Sequence, residues 1–283
     1  MSLSFRFGTV GSPIATPSKP GGTVGGIQYA ASIGLDALEL AWVNGVRVGE
    51  ATCAAIRQAG ETTGVVLSIH APYYINLNAE EQKWPRLRKY LIDAAHFGHL
   101  AGATDITFHP GSYFGQPPDT VLKTVLPRLE GVVDELRAAG NPVMLRPEAM
   151  GKLAVIGSLE DVLNLSQIDG VLPCMDFAHL HARAGDGSMN TYEEWMHVLE
   201  AYHGALGDSA MNQMHIHLSG IEYGPKGEKN HLVIEDADMD FKALFRALHK
   251  AGAGGRLLCE SPALEVDALK LCEMWMGISK EVK

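Results

Sequence analysis

GVLPCMDFAHLHARAGD, residues 170–186, runs from an apolar stretch straight into Asp176, His179 and His181. An acid at the end of a buried strand is costly unless it meets water, a polar partner or a cation. The segment has two readings: a connecting loop with a capping Asp, or a ligand pair with Asp176 at the strand end and His179 three residues into the loop. The same order of apolar run, polar terminus and amphipathic stretch recurs along the chain. Short β-rich runs fall at 4–10, 35–41, 64–71, 104–110, 142–148, 170–176, 212–218 and 255–260. Helical patterns occupy 48–63, 80–103, 119–140, 158–168, 191–206 and 241–252, and a closing helix fills about 263–281. The fourth opens with Ser158-x-x-Asp161, a capping-box signal. Near-continuously apolar strands separated by helices imply a parallel sheet covered on both faces. Eight such units, with no glycine-rich phosphate fingerprint, predict one α/β domain over 1–283, a (β/α)8 TIM barrel rather than an open doubly wound sheet.

Composition narrows the function classes. The chain has 283 residues, 46% hydrophobic and 20% charged, with enough apolar material for a full core. No apolar run approaches the roughly 20 residues that span a bilayer, and the first residues carry no secretory pattern. Cys53, Cys174, Cys259 and Cys272 are widely spaced, so reduced thiols and a cytoplasmic location are expected. A formal net charge of −10 argues against broad attraction to nucleic acid or to an anionic membrane.

In a TIM barrel the chemistry sits at the C-terminal ends of the strands. Six successive expected strands, the third to the eighth, end in His70, His109, Glu148, Asp176, His217 and Glu260. Imidazoles and carboxylates converging on one mouth are the donor set of zinc or another divalent transition metal. Without a cation, the carboxylates would repel one another and take up protons. In MHIHL, His215 and His217 share a strand face; His217 is nearer the mouth, and His215 is expected deeper, hydrogen-bonded in the interior. His181 reads as a structural residue or as one that supports a ligand from behind. His96, His99, His197, His203 and His249 lie in helical runs and read as helix-face residues.

The motifs SIHAPYYINL (68–77), TFHPGSY (107–113), Pro147-Glu148-x-x-Gly151, CMDFAHLHARAGD, HLSG with the following loop to NHL, and LLCESP (257–262) run in one order along nearly the whole chain. In this they resemble endonuclease IV, the apurinic/apyrimidinic endonucleases among the xylose isomerase-like TIM barrels. The resemblance implies a hydrolase that cuts the phosphodiester 5′ to an abasic site in double-stranded DNA during repair, with two to three Zn2+ ions, or Mn2+. It implies that His70, His109 and Glu148 hold one ion. Glu148 would bridge to a second, held with Asp176, His217 and Glu260, and His179 would hold a third with Glu228 and His231. Glu148 and Glu260 would be the catalytic carboxylates. Tyr73 and Tyr74, in the loop after the first histidine, would wedge into damaged DNA. A monomer without membrane contact is expected.

Three departures stand out. The family's acid-x-His pair is here Glu228-Lys229-Asn230-His231, one residue longer and with Glu as the acid. Its Glu-Asn-Thr-Ala-Gly-Gln-Gly segment is here EAMGKLAVIG, and its His-Leu-Asn-Asp is here HLSG. The alternative within the superfamily is a sugar isomerase or epimerase, which resembles this chain through Glu148, Asp176, His217 and Glu260 around a single ion.

Overall fold

A computed structural model describes residues 5–281; Ser4, counted in the first expected strand, lies outside the described residues. Eight parallel strands make the barrel: β1 (Phe5–Val10), β2 (Ala37–Ala41), β3 (Val66–His70), β4 (Asp105–Phe108), β5 (Met144–Pro147), β6 (Cys174–Asp176), β7 (Met214–Leu218) and, after the hairpin β8 (Gly220–Gly224) and β9 (Gly227–Leu232), β10 (Gly255–Cys259). The ladder runs β5-β4-β3-β2-β1-β10-β7-β6. Parallel bridges Leu145↔Val171 and Glu148↔Cys174 join its two ends, so the barrel is nearly closed.

Outer helices cover the barrel: α1 (Gly22–Ser32), α2 (Glu50–Thr63), α3 (Trp84–Leu100), α4 (Pro118–Ala138), α5 (Leu159–Leu165), α6 (Phe177–Ala184), α7 (Tyr192–Met211), α8 (Phe241–Lys250) and α9 (Glu265–Glu281). Among the described residues, none is long and apolar enough to cross a membrane. Alternation along each strand sends Leu67, Ile69, Ile106 and Leu145 outward into a helix-facing core, and Ile216 and Leu257 into a second one. Each fully buried aliphatic side chain of this kind contributes about 1.5–3 kcal/mol.

Inward positions are polar and stack in tiers. At the N-terminal end, buried Asp105 is gripped by Arg146 (2.6 Å) and Arg256 (2.7 Å). Burial would raise the Asp105 pKa, but the two guanidiniums outweigh it and hold the carboxyl well below the usual range. Above this tier lie Glu39, Ser68, Thr107 and His215 in mutual hydrogen-bond contact. The strand-end residues of the mouth form the top.

Three elements differ from the expectation. α1 is glycine-rich and was not anticipated; a Cβ on Gly26 would lie 2.5 Å from the Ser12 hydroxyl, so glycine lets the helix approach the loop after β1. Residues 177–184, read as loop, form α6, because the Asp176 carboxylate caps it by accepting from the His179 N–H at 2.7 Å. The stretch after His217, also read as loop, is the β8–β9 hairpin. The expected end of the helix 191–206 falls at a break at Gly207 (φ 76°), beyond which a further turn runs to Met211. The capping box on α5 forms as read, with Asp161 N–H bonding the Ser158 hydroxyl at 3.1 Å and Ser158 N–H bonding the Asp161 carboxylate at 2.9 Å. Asp161 also receives the Tyr113 hydroxyl, which ties down the loop that follows His109.

Candidate metal centre

The strand ends bring the sequence-selected residues into three adjoining groups, each able to offer ligand atoms within 4.8 Å of one another: His70, His109 and Glu148; Glu148, Asp176, His217 and Glu260; and His179, Glu228 and His231. Glu148 belongs to two of them. Its Oε2 lies 3.3 Å from His70 Nε2 and 3.2 Å from His109 Nε2. Its Oε1 lies 3.4 Å from His179 Nδ1 and 3.5 Å from His217 Nδ1. Glu260 Oε1 is 3.3 Å from His217 Nδ1. His179 Nε2 stands 3.6 Å from Glu228 Oε2 and 3.4 Å from His231 Nε2.

Backbone carbonyls orient three of the rings. His70 Nδ1 meets Ala71 O at 2.9 Å, His179 Nδ1 meets Ala149 O at 3.0 Å, and His231 Nδ1 meets Glu260 O at 3.2 Å. A carbonyl only accepts, so in the neutral ring the proton sits on Nδ1 and the Nε2 lone pair faces the centre. This arrangement, with the far nitrogen tied to the protein, is that of metal-ligating histidine.

The buried polar atoms at the mouth fit a cation. Both Glu148 oxygens, Asp176 Oδ2 and both His217 nitrogens lack an aligned hydrogen-bond partner. Native proteins rarely leave so many buried polar atoms unpaired in one place. Burial would raise the Glu148 pKa, yet the imidazoles of His109, His179 and His217 hold it well below the carboxylate range. Burial pushes Asp176 up to about 6, with Glu260 and Glu148 adding to the effect. Burial would lower His179, but Asp176 and Glu148 raise it to about 10. A divalent ion would displace such protons and supply the positive charge in their place. Cys174, His215 and His217 also lie close together deeper in the barrel, where burial pushes the Cys174 thiol far up and keeps it protonated.

The third group depends on the hairpin. In a regular strand, residues three apart face opposite sides. Here β8 pairs Glu222 with Asn230 but Tyr223 with Glu228, so Lys229 is an extra, bulged residue. The bulge resets the alternation, and Glu228 and His231 both turn toward His179. The additional residue between acid and histidine is thereby absorbed. Gly151, after β5, makes room for this: a Cβ there would lie 2.6 Å from Glu228 Cβ and 3.2 Å from His179 Cδ2. Gly151 O also accepts the Glu228 N–H at 3.2 Å.

The groups open into a cavity of about 450 Å³ at the barrel mouth. Tyr73 stacks on His109 with centroids 5.0 Å apart, and Tyr74 lies against Tyr90 at 5.8 Å. Both tyrosines are more than half exposed on the rim, as is Phe114, which carries a left-handed φ of 51°. His181 is held by Ser188 O, Met189 O and Asp238, outside the groups, and His215 bonds Glu39 and Thr107 in the interior. The five helix-face histidines take no part in the groups. Sequence reading missed Glu39 and Phe114, and it placed Gly151 in a motif without giving it a role. For Glu39 a signal existed: an acid in the middle of the otherwise apolar run ALELA, 37–41.

Eight parallel strands, with His and carboxylate groups gathered where they end, define the class: a TIM-barrel enzyme with a candidate metal centre in its mouth. The chain belongs to the xylose isomerase-like TIM barrel family, whose sequence profile matches residues 27–276. Its relatives include the uncharacterized protein MJ0133 of Methanocaldococcus jannaschii, 35% identical over 270 residues, 95% of this chain and 96% of that one. Endonuclease 4 of Thermus thermophilus is 28% identical over 206 residues, 69% of this chain and 71% of its own. Among solved structures, an endonuclease IV from Thermus thermophilus superposes with a TM-score of 0.73 at 22% identity, over 98% of this chain and 99% of that one. A D-tagatose 3-epimerase-like protein reaches the same TM-score at 16% identity, over 98% of each chain. Fold likeness therefore does not separate nuclease from epimerase.

Proposed function

We propose that the chain is an endonuclease IV-type hydrolase that cuts the DNA phosphodiester 5′ to an abasic site, with two or three Zn2+ ions (Mn2+ as the substitute) in the three groups. The observation that carries this reading is Glu148. Its Oε2 faces His70 and His109 and its Oε1 faces His217, as a carboxylate shared between neighbouring ions would. A mononuclear sugar isomerase or epimerase needs Glu148, Asp176, His217 and Glu260, and gives no role to His70 and His109 together or to His179 with Glu228 and His231.

Bound there, divalent ions would supply Lewis-acid polarisation of the phosphoryl oxygens. The chain's own residues would do the rest. Glu148 fixes the spacing of the groups, and Glu260, which unlike Glu148 and Asp176 keeps some solvent access, takes up or returns a proton. Tyr73 and Tyr74 offer exposed π-faces on which an unstacked base or sugar edge can rest. Lys152, half-exposed beside Glu228, puts a cation at the rim of an otherwise acidic protein. Four free cysteines fit a reducing, cytoplasmic setting.

The test is metal content per chain on protein purified without added metal, together with nicking of a duplex carrying one abasic site. Two to three ions and a cut on the 5′ side are expected. A single ion with no nick, and turnover of a ketose, would replace this reading with the epimerase one.

A further inference from the structure

One buried carboxylate lies directly beneath the mouth without belonging to the three groups. Glu39, on β2, is fully enclosed in the barrel beneath the mouth. Its Oε2 accepts from Ser68 Oγ at 2.7 Å and Thr107 Oγ1 at 3.1 Å, and pairs with His215 Nε2 at 2.9 Å. Three partners on one oxygen fix the plane of the carboxylate. The other oxygen, Oε1, lies 3.0 Å from His217 Nε2. That contact is short but not aligned along the ring's donor direction, and neither atom has another hydrogen-bond partner.

His217 differs from its neighbours. His70, His179 and His231 turn Nε2 to the centre and tie Nδ1 to a backbone carbonyl. His217 instead turns Nδ1 toward Glu148 and Glu260, so that its Nε2 points into the barrel. Nδ1 can offer a lone pair only if the ring proton sits on Nε2. Glu39 Oε1, 3.0 Å away, is a carboxylate in reach of that proton, whereas the Cys174 thiol that also neighbours the ring is kept protonated by burial and accepts only weakly. A wholly buried carboxylate costs several kcal/mol unless it is paired and hydrogen-bonded, so a purely space-filling role is a poor account of it.

Resting on the metal reading of the mouth but not on the abasic substrate, we infer that Glu39 is a positioning residue. Its carboxylate receives His217 Nε2–H, fixes the Nδ1-facing tautomer and rotation of the ring, and adds negative charge behind it. The Ser68, Thr107 and His215 contacts hold Glu39 for that task. No role of this kind follows from the strand-end pattern, because Glu39 stands in the middle of β2, a tier below the strand ends that pattern selects.

Glu39→Gln keeps the shape and removes the charge. Chelator competition with Zn2+ should show affinity at the Asp176/His217/Glu260 group lowered about 10–100-fold, with the ion at His70 and His109 retained. The melting temperature of metal-free protein separates the alternatives: a structural role alone would lower it and leave the affinity of the folded variant unchanged. If the variant does not fold, the wild type still decides. In Zn2+-loaded protein labelled with 15N-histidine, and with His217→Asn to assign the signal, His217 should carry its proton on Nε2. Unchanged affinity in Glu39→Gln, a proton on Nδ1, or wild-type protein that takes up no metal would each overturn the inference. Failure to nick abasic DNA with metal binding intact would sink the nuclease reading and leave this one standing.

Discussion

Gly151→Ala adds one methyl group at the point where the loop after β5 touches the hairpin. The backbone φ at 151 lies outside the left-handed region, so the effect is steric alone. The new carbon would sit 2.6 Å from Glu228 Cβ, 3.1 Å from Glu228 Oε2 and 3.2 Å from His179 Cδ2. Carbon atoms rest at about 3.5–4.0 Å, so the overlap with Glu228 Cβ is about 1 Å. That atom is fixed to the strand and cannot swing aside as a side-chain tip can. Either β9 moves outward or α6, carrying His179, moves away. Overpacking of this kind costs about 1–3 kcal/mol. If that strain is released by separating Glu228 from His179, affinity for an ion between them falls by about 5- to 150-fold, at about 1.4 kcal/mol per tenfold. Elemental analysis after dialysis against a weak chelator should show about one ion fewer per chain, with the two ions nearer Glu148 retained. A variant with unaltered metal content, affinity and melting temperature would refute both the steric argument and the place of Glu228 in the centre.

Four further outcomes are expected from the geometry. His109→Ala should remove about one ion per chain and abolish nicking of abasic duplex; an unchanged count of one ion would favour the epimerase reading. Replacing Tyr73 and Tyr74 together by Ala should weaken binding to abasic duplex in a gel-shift or anisotropy assay by up to about 1–3 kcal/mol per ring, at constant metal content, and equal affinity would make them rim packing. Asp105→Asn should cost about 3–5 kcal/mol in denaturant unfolding at pH 7, because it leaves Arg146 and Arg256 unpaired. Since the folded pKa of Asp105 is depressed, its contribution is fully present above the unfolded value near 3.9 and is lost only as pH falls below it; the gap to wild type should hold from pH 7 to 5 and narrow in stronger acid. Deleting Lys229 should regularise the β8–β9 ladder while leaving Glu228 and the histidine on one face, so the metal count should be kept; loss of an ion would show that the bulge does more than restore alternation.

The barrel was legible because each unit repeats one rule: a short apolar run, a polar terminus, then a helix. The same rule selected His70, His109, Glu148, Asp176, His217 and Glu260, since a strand end fixes where a side chain points. What the rule could not reach depends on contacts between segments far apart in sequence. The departure at Glu228 and His231 looked like a broken spacing, and only the pairing partner on β8 reveals the bulge that repairs it. α6 was hidden because a capping Asp176 was read with a loop after it, whereas the helix it caps begins at the very next residue. Gly151 stands in a local motif, but the motif does not show its role, which is to leave space for an atom 77 positions further on. Glu39 was visible as an acid in an apolar run, yet its meaning lies in the orientation of a ring on another strand.

Asp176 is also a hinge pin between fold and chemistry. One of its oxygens holds the first turn of α6 through the His179 amide, and the other is left facing the mouth. A pull on the free oxygen is therefore felt by the backbone that carries His179, so neighbouring groups are mechanically joined through a single side chain. Filling one should stiffen the frame of the next, and uptake of ions should be steeper than independent binding allows. Protease resistance of the 177–191 segment should rise in step with it.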